Sequence, residues 1–473
     1  MRWGARSLLV PLAWVAAVAA VLLLLFPLGF PNYDTIYSLL WGTELADGLS
    51  PDRGAALPPT PHPLAELFGL VTAPLGDNAI SLTIVVAYVS LGLVGYLVYR
   101  LGSLWFDRPI GAVAALIVLT RAPYLSNGLR AYIDVPYIAL VLAALVVETK
   151  RPRAGWPVLA LLALAGLLRP EAWLFSFAYF AYLVLTGERD RGRLAVFAAL
   201  ALAGPLGWAI YDWITAGSPT YSFTGTRETV ETLERDTGPV DLVLYGPRRL
   251  GEVLQWPGMV GAAGGVVLGL ATLRRRSEIG VAAAVLALGA FAVLACAGLA
   301  IIPRYTMLAA AILAVFAALA LLGWRLLEPG HPWRRAWQAF AAVVALMFVF
   351  WGPNQYDLLH RVDTDLTNQS EIEGDLNDLA QSDAFEPLCL PISVPNHRAV
   401  PRLAFDLDVR PSQIVSSSEQ RQPRRGYFLD PASPFVIHNF ILDPNDPARF
   451  VTTVPPGFRE IAANESWLLY RRC

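Results

Sequence analysis

The stretch LLVPLAWVAAVAAVLLLLFPLGFPNYDTIY, residues 8–37, decides the fold. From Leu8 to Phe30 it carries no charged residue. An apolar run of that length crosses a bilayer as a helix. A signal peptide has a shorter apolar core and a small-residue cleavage site. This run leads instead into Pro31-Asn32-Tyr33-Asp34, so it reads as an uncleaved first span that ends at a polar corner.

Outward from that span the pattern repeats. Eleven apolar runs lie at about 8–30, 79–99, 109–123, 131–147, 155–168, 171–187, 194–212, 257–273, 279–302, 305–324 and 336–352. In hydrocarbon every backbone polar group must find its partner internally, so the runs are expected to be helices. The composition agrees, with 55% hydrophobic and 16% charged residues, where soluble chains carry roughly 25% charged residues. The fold class expected is an α-helical polytopic membrane protein of about eleven transmembrane helices. A net charge of −2 gives no signal for nucleic acid. Lys150 is the only lysine, which points to a GC-rich bacterial genome.

Basic residues in short loops set orientation. Arg2 and Arg6, Arg100 and Arg108, Lys150 with Arg151 and Arg153, Arg189 to Arg193, Arg274 to Arg276, and Arg325 with Arg334 and Arg335 all fall on one side of an eleven-span map. The N-terminus is therefore expected in the cytoplasm of a bacterial plasma membrane. Two long loops, 31–78 and 213–256, and the polar tail then lie outside. Within the second loop, Thr226–Asp236 reads as a short charged helix and Pro239–Trp256 as an amphipathic one. The chain divides into a transmembrane part, 1–352, and a small extracytoplasmic α/β domain, 353–473. Helix is expected at Thr367–Ala380, and strands at Leu388–Val394, Tyr427–Leu429, Phe435–Leu442 and Trp467–Arg471. Cys296 reads as a packing residue. Cys389 and Cys473 form a disulfide if the tail faces an oxidising compartment; two free thiols are the alternative.

Charges at membrane depth need a partner or a function. Asp34 either caps a short helix over Thr35–Leu45 or stands at the membrane surface as a general base. Glu44 and Asp47 read as the solvated face of that helix. His62 sits in the rigid Pro61-His62-Pro63. Asp134 either caps the fourth span or pairs with Arg130. Arg169 and Glu171 flank Pro170 as an ion pair across a helix break, or Arg169 points into a cavity. Arg304 in Pro303-Arg304-Tyr305 either snorkels or grips a lipid phosphate with its donor fork.

These features in order resemble the C-type glycosyltransferase superfamily (GT-C). The likeness rests on Tyr33-Asp34-Thr35-Ile36-Tyr37 after the first span, on Pro61-His62-Pro63-Leu64, on Tyr132-Ile133-Asp134-Val135-Pro136, on Leu168-Arg169-Pro170-Glu171-Ala172, on Pro303-Arg304-Tyr305, and on an external domain at the end. It implies a membrane glycosyltransferase with a polyprenyl-phosphate sugar donor and a glycan, lipid or protein acceptor. It implies Asp34 as catalytic base and Arg304 with Tyr305 at the donor phosphate. Arg169 and Arg121 would join them, and Asp134, His62 and Tyr37 would face substrate. Many members have a second acid beside the first; here Thr35 stands there, which leaves dependence on a divalent metal open. A transporter or flippase of a lipid-linked substrate, or a non-catalytic membrane scaffold, are the competing classes.

Overall fold

The computed structural model describes residues 5–441 and 454–473, with side chains from residue 9 onward. Arg2, Leu442 and the Arg6 side chain lie outside that set. Each of the eleven apolar runs falls on a helix. In chain order the helices are α1 (Ala5–Leu25), α2 (Tyr33–Ala46), α3 (Pro63–Thr72), α4 (Asn78–Trp105), α5 (Arg108–Leu119), α6 (Ala122–Leu129), α7 (Asp134–Lys150) and α8 (Trp156–Gly166). There follow α9 (Glu171–Leu185), α10 (Arg191–Ala216), α11 (Tyr221–Thr232), α12 (Gly238–Thr272), α13 (Arg274–Cys296), α14 (Met307–Leu322), α15 (Arg334–Gln381) and α16 (Val400–Asp406). Six of these, among the described residues, are long and apolar enough to cross a membrane, or seven if α5 and α6, bent by 63°, form one broken span. Shorter apolar helices, including the described part of α1 together with α8 and α9, accompany them. The protein is a multi-pass membrane protein.

The chain forms two compact units. The first comprises residues 1–27, 84–211 and 236–362. Its centre is α14, an Ala-rich helix buried along almost its whole length. Small residues make that burial achievable. Gly261, Gly265 and Gly269 of α12 lie at helical spacing, and a Cβ on Gly265 would sit 1.9 Å from the Phe316 carbonyl oxygen. Close backbone approach of this kind drives helix association where no hydrophobic force separates protein from lipid. Helix α12 breaks at Gln255, whose φ is 62°, just before Pro257. The amphipathic segment ends and the apolar span begins at this break, as the sequence indicates. Cys296 is exposed rather than packed, because it falls on the outer face of the last turn of α13.

The second unit comprises residues 28–83, 212–235 and 363–473. A five-stranded mixed sheet, order β2-β1-β3-β5-β4, is built from β1 (Ile392–Val394), β2 (Ile414–Ser416), β3 (Gly426–Pro431), β4 (Arg459–Ala463) and β5 (Trp467–Arg472). β1 runs parallel to β2 and β3, and β5 runs antiparallel to β3 and β4. The expected strand over Phe435–Leu442 is instead a helical turn at Pro434–Val436 continued by a π turn at Ile437–Ile441. Pro434 follows Ser433, an extended N-cap residue, and proline at N1 favours a helical start. A disulfide joins Cys389 to Cys473, with Cα atoms 6.2 Å apart.

Helix α2 belongs to the core of this unit. Ile36, Tyr37 and Trp41 pack in one apolar cluster with Leu376, Val394, Leu403 and Trp467. Glu44 is buried, not solvated: it accepts from Asp52 N at 2.5 Å and pairs with Arg410 at 3.3 Å. Burial pushes its pKa up against the pull of those partners. Asp52 also accepts from Ser412 N at 2.8 Å. The tail therefore holds the first long loop in place.

Candidate active site

In the first unit the Pro303-Arg304-Tyr305 segment is a 3₁₀ turn leading into α14. Its loop is anchored to α12. Arg249 Nε donates to the Ile301 carbonyl at 3.0 Å, and its Nη2 pairs with Asp236 at 3.3 Å. The Ile301 amide in turn donates to the Asp236 carbonyl at 2.9 Å. Arg304 lies half-buried between aromatic rings, its Cζ 5.3 Å from the Tyr132 centroid and 5.4 Å from that of Tyr305. Ring faces attract the cation and hold the guanidinium near the entrance of α14.

Tyr305 links this corner to a buried charge cluster. Its ring lies 4.2 Å from Arg169 Cζ. Arg169 Nη2 pairs with Glu171 at 2.7 Å, and its Nη1 with Asp134 at 3.2 Å. All three charged side chains are no more than 6% exposed. Asp134 thus takes Arg169 as partner, not Arg130, and it is the first residue of α7 rather than its cap, which is Ile133. The pair across Pro170 is present as the sequence indicates. Arg121 lies at the α5–α6 bend, donating from Nε to the Ile117 carbonyl at 3.1 Å with its Cζ 5.9 Å from the Phe348 ring.

In the second unit Asp34 is the second residue of α2 and half-buried. It is not the cap. Asn32 holds that position, and its Oδ1 accepts from Asp34 N at 2.8 Å and from Thr35 N at 3.3 Å. The cap fixes the backbone of Asp34 with no demand on its carboxylate. Tyr33, Tyr37 and Trp41 form a ladder along α2 with successive centroids 5.0 Å apart. Tyr37 is wholly buried within it. His397 meets the Tyr33 ring edge-on at 5.5 Å. Burial raises the Tyr33 phenol well above its usual range, with Tyr37 and the Asp34 charge adding to the effect, so it stays protonated beside the carboxylate. His62 is buried as the N-cap residue of α3, with no side-chain cap bond.

The structure brings together Asp134, Arg169, Arg304 and Tyr305 in the first unit, and places Asp34, Tyr37 and His62 in the second. Tyr132, Asp236 and Arg249 had no role assigned from sequence. The amphipathic pattern of Pro239–Trp256 marks the helix that carries Arg249, but not which loop it would hold. Among the described residues no three His, Cys, Asp or Glu side chains converge as a metal site.

No family model and no curated protein matches the chain. Solved structures do. The crystal structure of ArnT from Cupriavidus metallidurans bound to undecaprenyl phosphate superposes with a TM-score of 0.57 at 14% identity, over 98% of this chain and 97% of that one. The apo state of the same protein gives a TM-score of 0.57 at 15% identity, over 97% of each chain. At such identity the likeness is one of fold, and it extends from end to end. The chain shares the fold of ArnT.

Proposed function

We propose that this protein is a membrane glycosyltransferase that moves a sugar from a polyprenyl-phosphate donor to an acceptor hydroxyl on the outer side of the membrane. One observation carries the reading: nearly the whole chain shares its fold with ArnT, whose crystal structure holds undecaprenyl phosphate. The external placement of the tail has its own support, since a disulfide joins Cys389 and Cys473 and such bonds persist in oxidising compartments.

The chemistry follows from charge. A prenyl phosphate is already a good leaving group, so the acceptor hydroxyl is what needs help. The Asp34 carboxylate accepts the hydroxyl proton as the oxygen attacks the anomeric carbon, a contribution of about 10²–10⁴-fold. The C–O bond to phosphate breaks on the opposite face, and the sugar inverts. Arg304, with Tyr305 beside it, stabilises the charge that collects on the departing phosphate. Arg169 acts as a positioning residue: with its guanidinium between Asp134 and Glu171, it holds Tyr305. Arg121 lies at the α5–α6 bend as a second guanidinium for the headgroup. His62 and Tyr37 shape the first loop around Asp34.

The reading is tested by turnover of a radiolabelled polyprenyl-phosphate hexose in proteoliposomes, with Arg304→Ala alongside. Label should pass to an acceptor, and Arg304→Ala should lower transfer. Movement of intact donor between leaflets without cleavage would identify a flippase instead.

A further inference from the structure

The second unit contains a cavity of about 310 Å³ that the proposed transfer chemistry does not use. One wall is the proline-rich segment Leu57–Pro61 of the first loop; the other is one face of α11. The walls are clamped together by a bond between Thr60 Oγ1 and Thr226 Oγ1 at 2.5 Å. Helix α11 is pinned at its start, where Asp212 accepts from the amide and hydroxyl of Ser222 at 2.8 and 2.7 Å. The cavity is therefore built into the fold rather than left by a loose loop. Its volume lies at the lower end of the range for small-molecule sites, roughly 300–1,000 Å³.

The lining chemistry narrows the ligand. Hydroxyls dominate, from threonines and Ser222 along α11 and from Thr60 opposite. Hydroxyls both donate and accept, which matches a ligand made of hydroxyls. The lining cation, Arg53, is 6% exposed, ion-paired with Glu66 at 3.9 Å and held between Trp41 and Tyr221 at 5.4 and 5.0 Å. Its charge is answered within the protein, while the exposed Glu228 carboxylate on the lining disfavours an anion. Gly225 lines the cavity in the middle of α11, and a Cβ there would meet nothing within 4 Å. Packing does not require that glycine, yet it keeps the space open at a cost in helix propensity.

We infer that this cavity binds one uncharged hexopyranose unit of a glycan. The inference stands apart from the transferase reading, because Asp34 does not line the cavity.

Saturation-transfer NMR on the full-length protein in nanodiscs tests it, with methyl glucoside, galactoside and mannoside in both anomers as probes. At least one probe should receive saturation on its ring protons. Gly225→Val, which fills the space, should weaken that probe by at least about tenfold, equivalent to ~1.4 kcal/mol. Thr229→Val, which removes a single lining hydroxyl, should weaken it less. Asp34→Asn should leave it unchanged while lowering transfer by about 10²–10⁴-fold, so the two readings can fail separately. Absence of saturation on every probe, or binding undiminished in both cavity variants, would overturn the inference.

Discussion

The Tyr305 ring lies 4.2 Å from the Arg169 guanidinium, which couples the turn at the mouth of α14 to the ion cluster around the Pro170 break. Arg169 pairs with two buried carboxylates, Asp134 and Glu171. Removing one partner of a buried pair strands its charge, at a cost of about 3–5 kcal/mol. Arg169→Ala should therefore unfold at markedly lower temperature in detergent. Arg169→Lys should recover only part of the loss, since an ammonium lacks the two-pronged geometry. Equal melting of all three proteins would remove the cluster from the account.

Asn32 should matter to Asp34 through the backbone alone. Asn32→Ala deletes the cap of α2 and should cost about 1 kcal/mol. Asn32→Ser should restore most of it. In the transfer assay the alanine variant should lose kcat more than KM, because the carboxylate loses its fixed origin. A change confined to KM would argue against that coupling.

Much of this was legible in the sequence, for physical reasons. Long uncharged runs permit only helices in hydrocarbon, so the spans and the break before Pro257 could be read directly. Arg169 and Glu171 could be paired because they are neighbours across a proline. The site was harder. Asn32 and Asp34 are both cap-forming residue types two positions apart, and the pattern does not rank them. Glu44 looked solvated because its partner, Arg410, is distant in sequence. Strands β2 and β4 escaped because one has three residues and the other, at the sheet edge, is largely exposed. The division at 352/353 followed hydropathy, whereas compactness joins the first long loop and residues 212–235 of the second to the tail from residue 363.

Glycines set the approach of α2 and α3. A Cβ on Gly42 would lie 2.4 Å from the Gly69 carbonyl carbon, and one on Gly69 would lie 2.3 Å from the Ser38 carbonyl oxygen. Both are backbone atoms that cannot swing aside. Gly69→Ala should destabilise by about 1–3 kcal/mol and make the first loop sensitive to limited proteolysis. A variant as resistant as wild type would contradict the packing.

Asp430 on β3 should make the tail less stable as pH rises. Burial pushes its pKa up to about 6, and its Oδ1 has no hydrogen-bond partner. The folded state thus binds more protons than the unfolded one between about pH 4 and pH 6, and stability falls with pH across that window. Asp430→Asn should flatten the dependence and melt higher at neutral pH. A variant whose melting tracked wild type from pH 4 to 7 would refute the assignment.

The most direct test of the central claim is transfer from a radiolabelled polyprenyl-phosphate sugar by wild type and Asp34→Asn at matched expression. The account predicts a fall in kcat of about 10²–10⁴-fold with donor binding retained. Full transfer by the variant would contradict it.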